Sequence, residues 1–276
     1  MSFHLLTASK THPGRIRKIN EDSIFSFVRD RQKGDMLALL SVADGIGGHK
    51  AGDIASKMAI DTIFQSLAWF LDKNQAEDTK PVNFIRINTS GLQIHNHIEK
   101  RLKLAFEEAN TQIYEYGRTH PEASNLGTTL TCALVWGDNV VIAHVGDSRA
   151  YLLRKGTLRQ LTEDHSFVGQ MVRQGQLPHE AYYVHPRRNV ITRALGQFPD
   201  ISVDVRTERL EADDRLLLCS DGLWEMLRDP EIKDYLASNH DLEHIVLEMV
   251  QQAIANGGPD NISAIVAKIV AKPDDR

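Results

Sequence analysis

The strand-forming segments of this chain come in hairpin-linked pairs rather than in alternation with helices, and that order narrows its fold. Residues 23–29 (SIFSFVR) and 36–43 (MLALLSVA) are β-rich runs separated by Asp30 to Asp35, which predicts a hairpin with a longer loop. Thr128–Trp136 and Val140–Val145 flank Gly-Asp-Asn, and Ala150–Arg154 and Leu158–Leu161 flank Lys-Gly-Thr, giving two more hairpins. Further strands are expected over 201–208, 214–219 and 261–270. Ile54, Met58, Ile63, Phe64, Leu67 and Phe70 recur at helical spacing and predict an amphipathic helix over 53–71. Ile98, Leu102, Ala105, Phe106, Ala109 and Ile113 predict a second over about 97–117. Shorter helices are expected at 164–176, 221–227, 230–238 and 241–256. Parallel neighbours need crossover connections, which hairpins do not supply. The order therefore implies antiparallel sheets packed with helices, an α+β layered domain.

No Pro/Gly/Ser-rich linker divides the 276 residues, so one domain spanning 1–276 is expected. Residues 72–93 carry charges, one proline and no period, and read as a long loop or insertion. A formal charge of −5 argues against a dedicated nucleic-acid binder. No run approaches 18 apolar residues, so no membrane span is expected. Met1 to Lys10 lacks the features of a signal peptide, and Cys132 and Cys219 sit in apolar runs as buried free thiols, which places the chain in a reducing cytoplasm.

The chemistry is announced by the positions of the aspartates. Asp44 follows LALLSVA and opens Gly45-Ile46-Gly47-Gly48-His49; Asp221 follows LLLCS and precedes Gly222. Asp147 follows VVIAHVG, and Asp260 follows Gly257-Gly258-Pro259 just before the last strand. Four times an apolar strand adjoins an aspartate beside glycine. Strand ends hold side chains rigidly, and glycine lets a backbone oxygen approach a ligand. Converging aspartates repel one another unless a cation neutralises them, and an all-oxygen set suits Mg²⁺ or Mn²⁺. Asp-Gly is also a common turn dipeptide; it is the fourfold recurrence after strands that favours a metal site. Near the N-terminus, Arg17 stands beside Glu21 and Asp22, which suggests a phosphate-gripping guanidinium next to metal-site acids.

The order Arg-x-x-x-Glu-Asp (Arg17–Asp22), Asp-Gly-x-Gly-Gly-His (Asp44–His49), Gly-Thr-Thr (Gly127–Thr129), Gly-Asp-Ser-Arg (Gly146–Arg149), Ser-Asp-Gly-Leu-Trp (Ser220–Trp224) and Asp-Asn (Asp260–Asn261) is similar to the PPM family, the type 2C metal-dependent Ser/Thr protein phosphatases. The resemblance runs from about residue 7 to 270, and the Gly-Gly-His form with Asn189–Gly196 resembles the bacterial branch. It implies a four-layer αββα fold, a central β-sandwich of two mostly antiparallel sheets flanked by pairs of helices. It also implies two Mn²⁺ or Mg²⁺ ions, with Asp44 bridging them, the Gly45 carbonyl on one, and Asp221 and Asp260 completing the other. Glu21 and Asp22 would act mainly through water, Asp147 with Asp221 would hold a third, weaker ion, and Arg17 would bind the substrate phosphate. By the same resemblance a metal-bridged water attacks phosphorus in line, without a phosphoenzyme. Some relatives carry a histidine directly after Asp-Gly as proton donor; here Ile46 stands there and His49 follows three residues later. Residues 165–190 match the family's variable flap, where His165, His179, His185, Arg187 and Arg188 are either a phosphoprotein contact or solvated surface.

Cysteine-based phosphatases are excluded because the position six residues after each cysteine holds Asp138 or Glu225 rather than arginine. No Gly-x-x-x-x-Gly-Lys-Ser/Thr occurs, so Gly45–Gly52 is not a P-loop. Zinc is not expected, for want of His/Cys pairs at zinc-site spacing. The expected partners are phosphorylated Ser/Thr proteins and a cognate bacterial Ser/Thr kinase, with no nucleic acid or membrane, and the expected state is a monomer. A catalytically dead binding module is one rival; it should lack a metal aspartate, and this chain keeps them all. A metal-dependent hydrolase of small phosphate esters on the same scaffold is the other.

Overall fold

A computed structural model describes residues 3–30, 36–47, 51–71, 91–123 and 125–271. His49 and residues 72–90 of the expected insertion lie outside them; residues 91–93 open a helix instead. One sheet has the order β1-β11-β10-β7-β8, formed by β1 (Phe3–His12), β11 (Ile262–Ala271), β10 (Arg215–Cys219), β7 (Arg149–Arg154) and β8 (Thr157–Gln160). The other has the order β2-β3-β5-β6-β9, formed by β2 (Asp22–Asp30), β3 (Met36–Ile46), β5 (Leu130–Trp136), β6 (Asn139–Val145) and β9 (Asp204–Arg209). The two-residue β4 (Gly127–Thr128) pairs with the end of β3, and every pairing is antiparallel.

Alternation along the strands builds the layers. Met36, Ala38, Leu40 and Val42 of β3 face Leu216, Leu218, Ile265, Ala267 and Ile269 of the opposing sheet, forming the middle of the sandwich. The intervening Leu37, Leu39 and Ala43 face outward onto α1 (Ala51–Leu71) and α2 (Gly91–Thr119). Likewise Leu217, Cys219, Ala264 and Val266 face outward onto α6 (Asp229–Ala237) and α7 (Leu242–Ala255). Both faces of the central strands are thus buried, which is why they read as continuous apolar runs. The result is the expected αββα order of layers.

Among the described residues there are three further short α-helices: α3 (Phe167–Arg173), α4 (Ala181–Val184) and α5 (Asp221–Trp224). At the β7–β8 turn Lys155 and Gly156 both have positive φ (48° and 76°), the geometry of the tight turn expected there. β1 is the strand that sequence reasoning missed. It is an edge strand, and its polar Thr7, Ser9, Lys10 and Thr11 leave only Leu5 and Ala8 buried, so no clean alternation marks it.

Candidate metal centre

Antiparallel pairing gathers the aspartates at one end of the sandwich. Asp22 opens β2 and is directly opposite Asp44 near the end of β3. Asp221 follows the end of β10, Asp260 precedes the start of β11, and Cys219 of β10 is paired with Ala264 of β11. Asp147 lies between the end of β6 in one sheet and the start of β7 in the other. Both sheets therefore contribute.

The motif residues around these acids brace them. Thr129 Oγ1 accepts the Asp44 N–H at 2.9 Å, while Thr129 N–H and Thr128 Oγ1 donate to the Asp44 carbonyl at 2.9 and 2.8 Å. Ser220 Oγ donates to Asp22 Oδ2 at 2.7 Å, and Asn261 Oδ1 accepts the Glu21 N–H at 2.7 Å. Asn261 Nδ2 reaches back to the Pro13 and Ile19 carbonyls, tying the N-terminal loop beside the site. Trp224 Nε1 donates to the Asp147 carbonyl at 3.0 Å. Gly45 and Gly52 lie back to back: a Cβ on Gly45 would stand 2.1 Å from the Gly52 carbonyl oxygen.

The carboxylates are held but not satisfied. Glu21, Asp22 and Asp147 are buried, whereas Asp44 and Asp221 are half-buried. Glu21 Oε1, Asp22 Oδ1, Asp147 Oδ1 and Asp221 Oδ1 are shut off from solvent with no hydrogen-bond partner. Burial, then the charges of Asp221, Asp22, Asp147 and Asp260, pushes Asp44 well above the carboxylate range. Burial and Asp221 do the same to Asp147. Burial raises Asp22 to about 7, offset in part by hydrogen bonds to Ser263 and Ser220. Asp221 rises to about 6, through burial and then Asp260. Glu21 is also raised, mainly by burial. Orphaned buried oxygens on mutually repelling acids are what a divalent cation would satisfy, and the donor set is all oxygen. The residues fit Mn²⁺ or Mg²⁺.

Asp260 differs from its neighbours. Its Oδ2 accepts from Arg17 Nη2 at 2.7 Å and its Oδ1 from the Asn261 N–H at 2.8 Å, so both oxygens are engaged. The half-exposed Arg17 is held protonated by that bond and stands at the mouth of the acid cluster.

Sequence reasoning missed two residues. Glu225 stands four after Asp221, a spacing that puts both on one face of a helical turn. Burial and Asp221 raise it to about 7, against the pull of Arg188, whose Nε is 3.6 Å away. Arg149, known before only as part of a motif, is fully buried. It forms a bidentate pair with Asp164 (2.6 Å at the shortest), donates to Tyr151 Oη at 2.9 Å and stacks 3.5 Å over the Trp224 ring.

The expected flap is less uniform than its sequence. His165 is buried: its Nδ1 accepts the Gly146 N–H at 3.0 Å, and its Nε2 is 3.1 Å from Asp204. It is neither phosphoprotein contact nor solvated surface, because it packs behind the Asp147 turn. His179 is exposed, the Arg187 guanidinium stacks 3.8 Å over Phe167, and Arg188 turns toward Glu225. Ile46 is half-buried and has no proton to donate.

Buried strand-end acids with orphaned oxygens, and a guanidinium beside them, are an arrangement suited to metal-dependent phosphohydrolase chemistry. The family model described as protein phosphatase 2C matches residues 15–265, and the chain belongs to that family. It is 38% identical over 259 residues to "Serine/threonine phosphatase stp" of Listeria welshimeri, covering 94% of each chain. The crystal structure of the Mycobacterium tuberculosis serine/threonine phosphatase PstP/Ppp superimposes with a TM-score of 0.78 at 31% identity, over 97% of this chain and 99% of that one. A structure of the PstP catalytic domain in complex with 2 manganese ions also has a TM-score of 0.78, at 30% identity, over 98% and 100% of the chains.

Proposed function

We propose that this chain is a protein-serine/threonine phosphatase that hydrolyses phosphoserine and phosphothreonine in proteins with two Mn²⁺ or Mg²⁺ ions. The observation that carries the reading is that four shut-off, unpartnered carboxylate oxygens, contributed by both sheets, lie at the same end of the sandwich. Asp44, the Gly45 carbonyl, Asp221 and Asp260 would hold the two ions, Glu21 and Asp22 would act mainly through water, and Asp147 with Asp221 would hold a third. When bound, such ions supply counter-charge to the acids and lower the pKa of the attacking water.

The chain's own residues do the rest. Thr128 and Thr129 fix the Asp44 backbone, so its carboxylate keeps its place as charge at the site changes. Arg17 would exchange Asp260 for the substrate phosphate, trading one charge-assisted bond for a bidentate grip. The substrates are phosphorylated proteins. A bacterial Ser/Thr kinase acting on the same proteins is the natural opponent, and a cytoplasmic monomer is the simplest setting. The buried free thiols of Cys132 and Cys219 support a reducing compartment. None of the described helices is long and apolar enough to cross a membrane.

The test is phosphate release from a phosphothreonine peptide in Mn²⁺ and in EDTA. Asp44→Ala and Asp221→Ala should each lower kcat/KM by more than about 100-fold, the upper range for losing even an indirect metal contact. Full activity in EDTA, or in Asp44→Ala, would overturn the reading. Cleavage of para-nitrophenyl phosphate alone would overturn the protein substrate while sparing the chemistry.

A further inference from the structure

On the opposite side of the α7 surface from the core, three side chains converge that the phosphatase chemistry does not use. His240, His244 and Glu248 recur at intervals of four, and one donor atom from each lies within 4.8 Å of the others. The buried Leu242, Ile245, Val246 and Met249 define the core face of α7, and the trio occupies the solvent side. His240 Nδ1 is 3.5 Å from Glu248 Oε2, and His244 Nε2 is 3.2 Å from Glu248 Oε1. The two imidazoles meet edge to face with centroids 4.6 Å apart. This corrects the expectation that no zinc-spaced pair exists: His240 and His244 are one, hidden in sequence because His240 precedes the helix.

We propose that His240, His244 and Glu248 form a second, separate metal site that takes a zinc-like transition-metal cation. In a tetrahedral zinc site, bonds of about 2.0–2.1 Å place neighbouring donors roughly 3.3 Å apart. The two histidine-to-glutamate separations, each to a different carboxylate oxygen, are already close to that edge. Two imidazoles and one carboxylate, with a position left for water, are a donor set suited to Zn²⁺, Co²⁺ or Ni²⁺, whereas Mn²⁺ and Mg²⁺ favour oxygen.

The backbone that carries the donors is braced. Asp241 caps α7 by accepting the His244 N–H at 2.8 Å, and Arg215 of β10 donates to the carbonyls of Leu236 and Ser238 just before His240. A cation near a helix N-terminus is opposed by the helix dipole, and the carboxylates of Asp241 and Glu243 in that turn offset it. From residue 244 to the far end of α7 is about 16 Å of helix at 1.5 Å per residue, so this site is distinct from the acids beyond that end.

Calorimetric titration of Zn²⁺ into the full chain in excess Mg²⁺ tests this, comparing wild type with His244→Ala and Glu248→Gln. His244 is exposed and Glu248 only partly buried on the solvent side of α7, so the variants should fold and keep their Mn²⁺-dependent phosphatase activity. Wild type should bind one more Zn²⁺ than either variant, with affinity at that site falling at least about 100-fold in His244→Ala. Co²⁺ should give the intense visible bands of a tetrahedral site in wild type and lose them in His244→Ala. Equal zinc stoichiometry and affinity in wild type and His244→Ala would overturn the proposal. So would Mn²⁺ occupying the site as tightly as Zn²⁺.

Discussion

Among single residues, Arg149 carries the largest electrostatic commitment outside the acid cluster. Its side chain and that of Asp164 are both 0% exposed, so neither charge is hydrated and each is neutralised by the other. Burying two ions is costly, and only good geometry with satisfied donors repays it. Here Nε and Nη2 engage Asp164, Nη1 reaches Tyr151 Oη, and the guanidinium face meets Trp224. The stack matters to the site because Trp224 also grips the Asp147 carbonyl. Asp164→Ala should therefore destabilise the fold by about 3–5 kcal/mol, the usual cost of leaving a buried charge alone. The double variant Asp164→Leu with Arg149→Met should recover much of that loss. Urea unfolding of the three proteins checks it, and a cost below about 1 kcal/mol for Asp164→Ala would show that water reaches the pair. Arg149 was visible in sequence only as a motif letter. Its charge partner Asp164 and stacking partner Trp224 lie 15 and 75 positions away, and nothing local says which charge a buried arginine will find.

At the scale of elements, the decisive junction is where β3 runs into α1. Asp44 and the Gly45 carbonyl can present themselves to a common ligand only if the end of β3 passes close beneath the first turn of α1. A Cβ on Gly45 would stand 2.1 Å from the Gly52 oxygen and 2.7 Å from the Glu21 oxygen. Neither neighbour is a movable side chain. Gly45→Ala should cost about 1–3 kcal/mol, as overpacking does, and should lower kcat/KM further than that loss of folding explains. Gly156→Ala is the control, since nothing lies within 4 Å of its Cβ and only its positive φ is strained. Comparable activity in the two variants, measured well below their unfolding temperatures, would remove the junction from the argument.

The same junction shows what the sequence makes legible and what it hides. Apolar runs placed β3, β5, β6 and β7, because buried central strands are hydrophobic on both faces, and hairpin turns placed the edge strands β2 and β8 beside them. Asp-Gly at strand ends located the acids for the same reason. The edge strand β1 escaped because Thr7, Ser9 and Lys10 break its alternation. His165 was misplaced on the flap surface because its neighbours in sequence are polar, while its neighbours in space are Gly146, Asp204 and Arg193. Glu225 is legible from the helical period counted on from Asp221.

For the whole molecule, the acids belong to both sheets, so whatever neutralises them also ties the sandwich together at that end. Without metal, the folded chain must keep protons on carboxyls that an unfolded chain would ionise near pH 4. Asp22 holds its proton to about 7 and Asp221 to about 6, and burial among the other acids also pushes Asp44 and Asp147 well above the ordinary carboxylate range. A raised folded pKa means the native state binds more protons than the unfolded one. Its contribution to stability is complete below about pH 4 and is lost as pH rises through the folded value. Buried histidines work in the opposite direction: His144 is lowered to about 3 by burial, and His165 is lowered for the same reason. Their contribution falls away below about pH 6.5, so the acids are best read between pH 6.5 and 8. Over that window the protein in EDTA should lose stability by up to about 1.4 kcal/mol per pH unit for each proton still held. Divalent ions replace those protons and bind more tightly as they leave, so Mn²⁺ should raise Tm more at pH 8 than at pH 6.5. Asp44→Asn removes one repelling charge; it should flatten the EDTA curve and abolish most of the Mn²⁺ shift. Thermal unfolding at both pH values, with and without Mn²⁺, decides the matter. A wild-type protein that gains stability in EDTA as pH rises, or a Mn²⁺ shift indifferent to pH, would mean that cations are not what these carboxylates await.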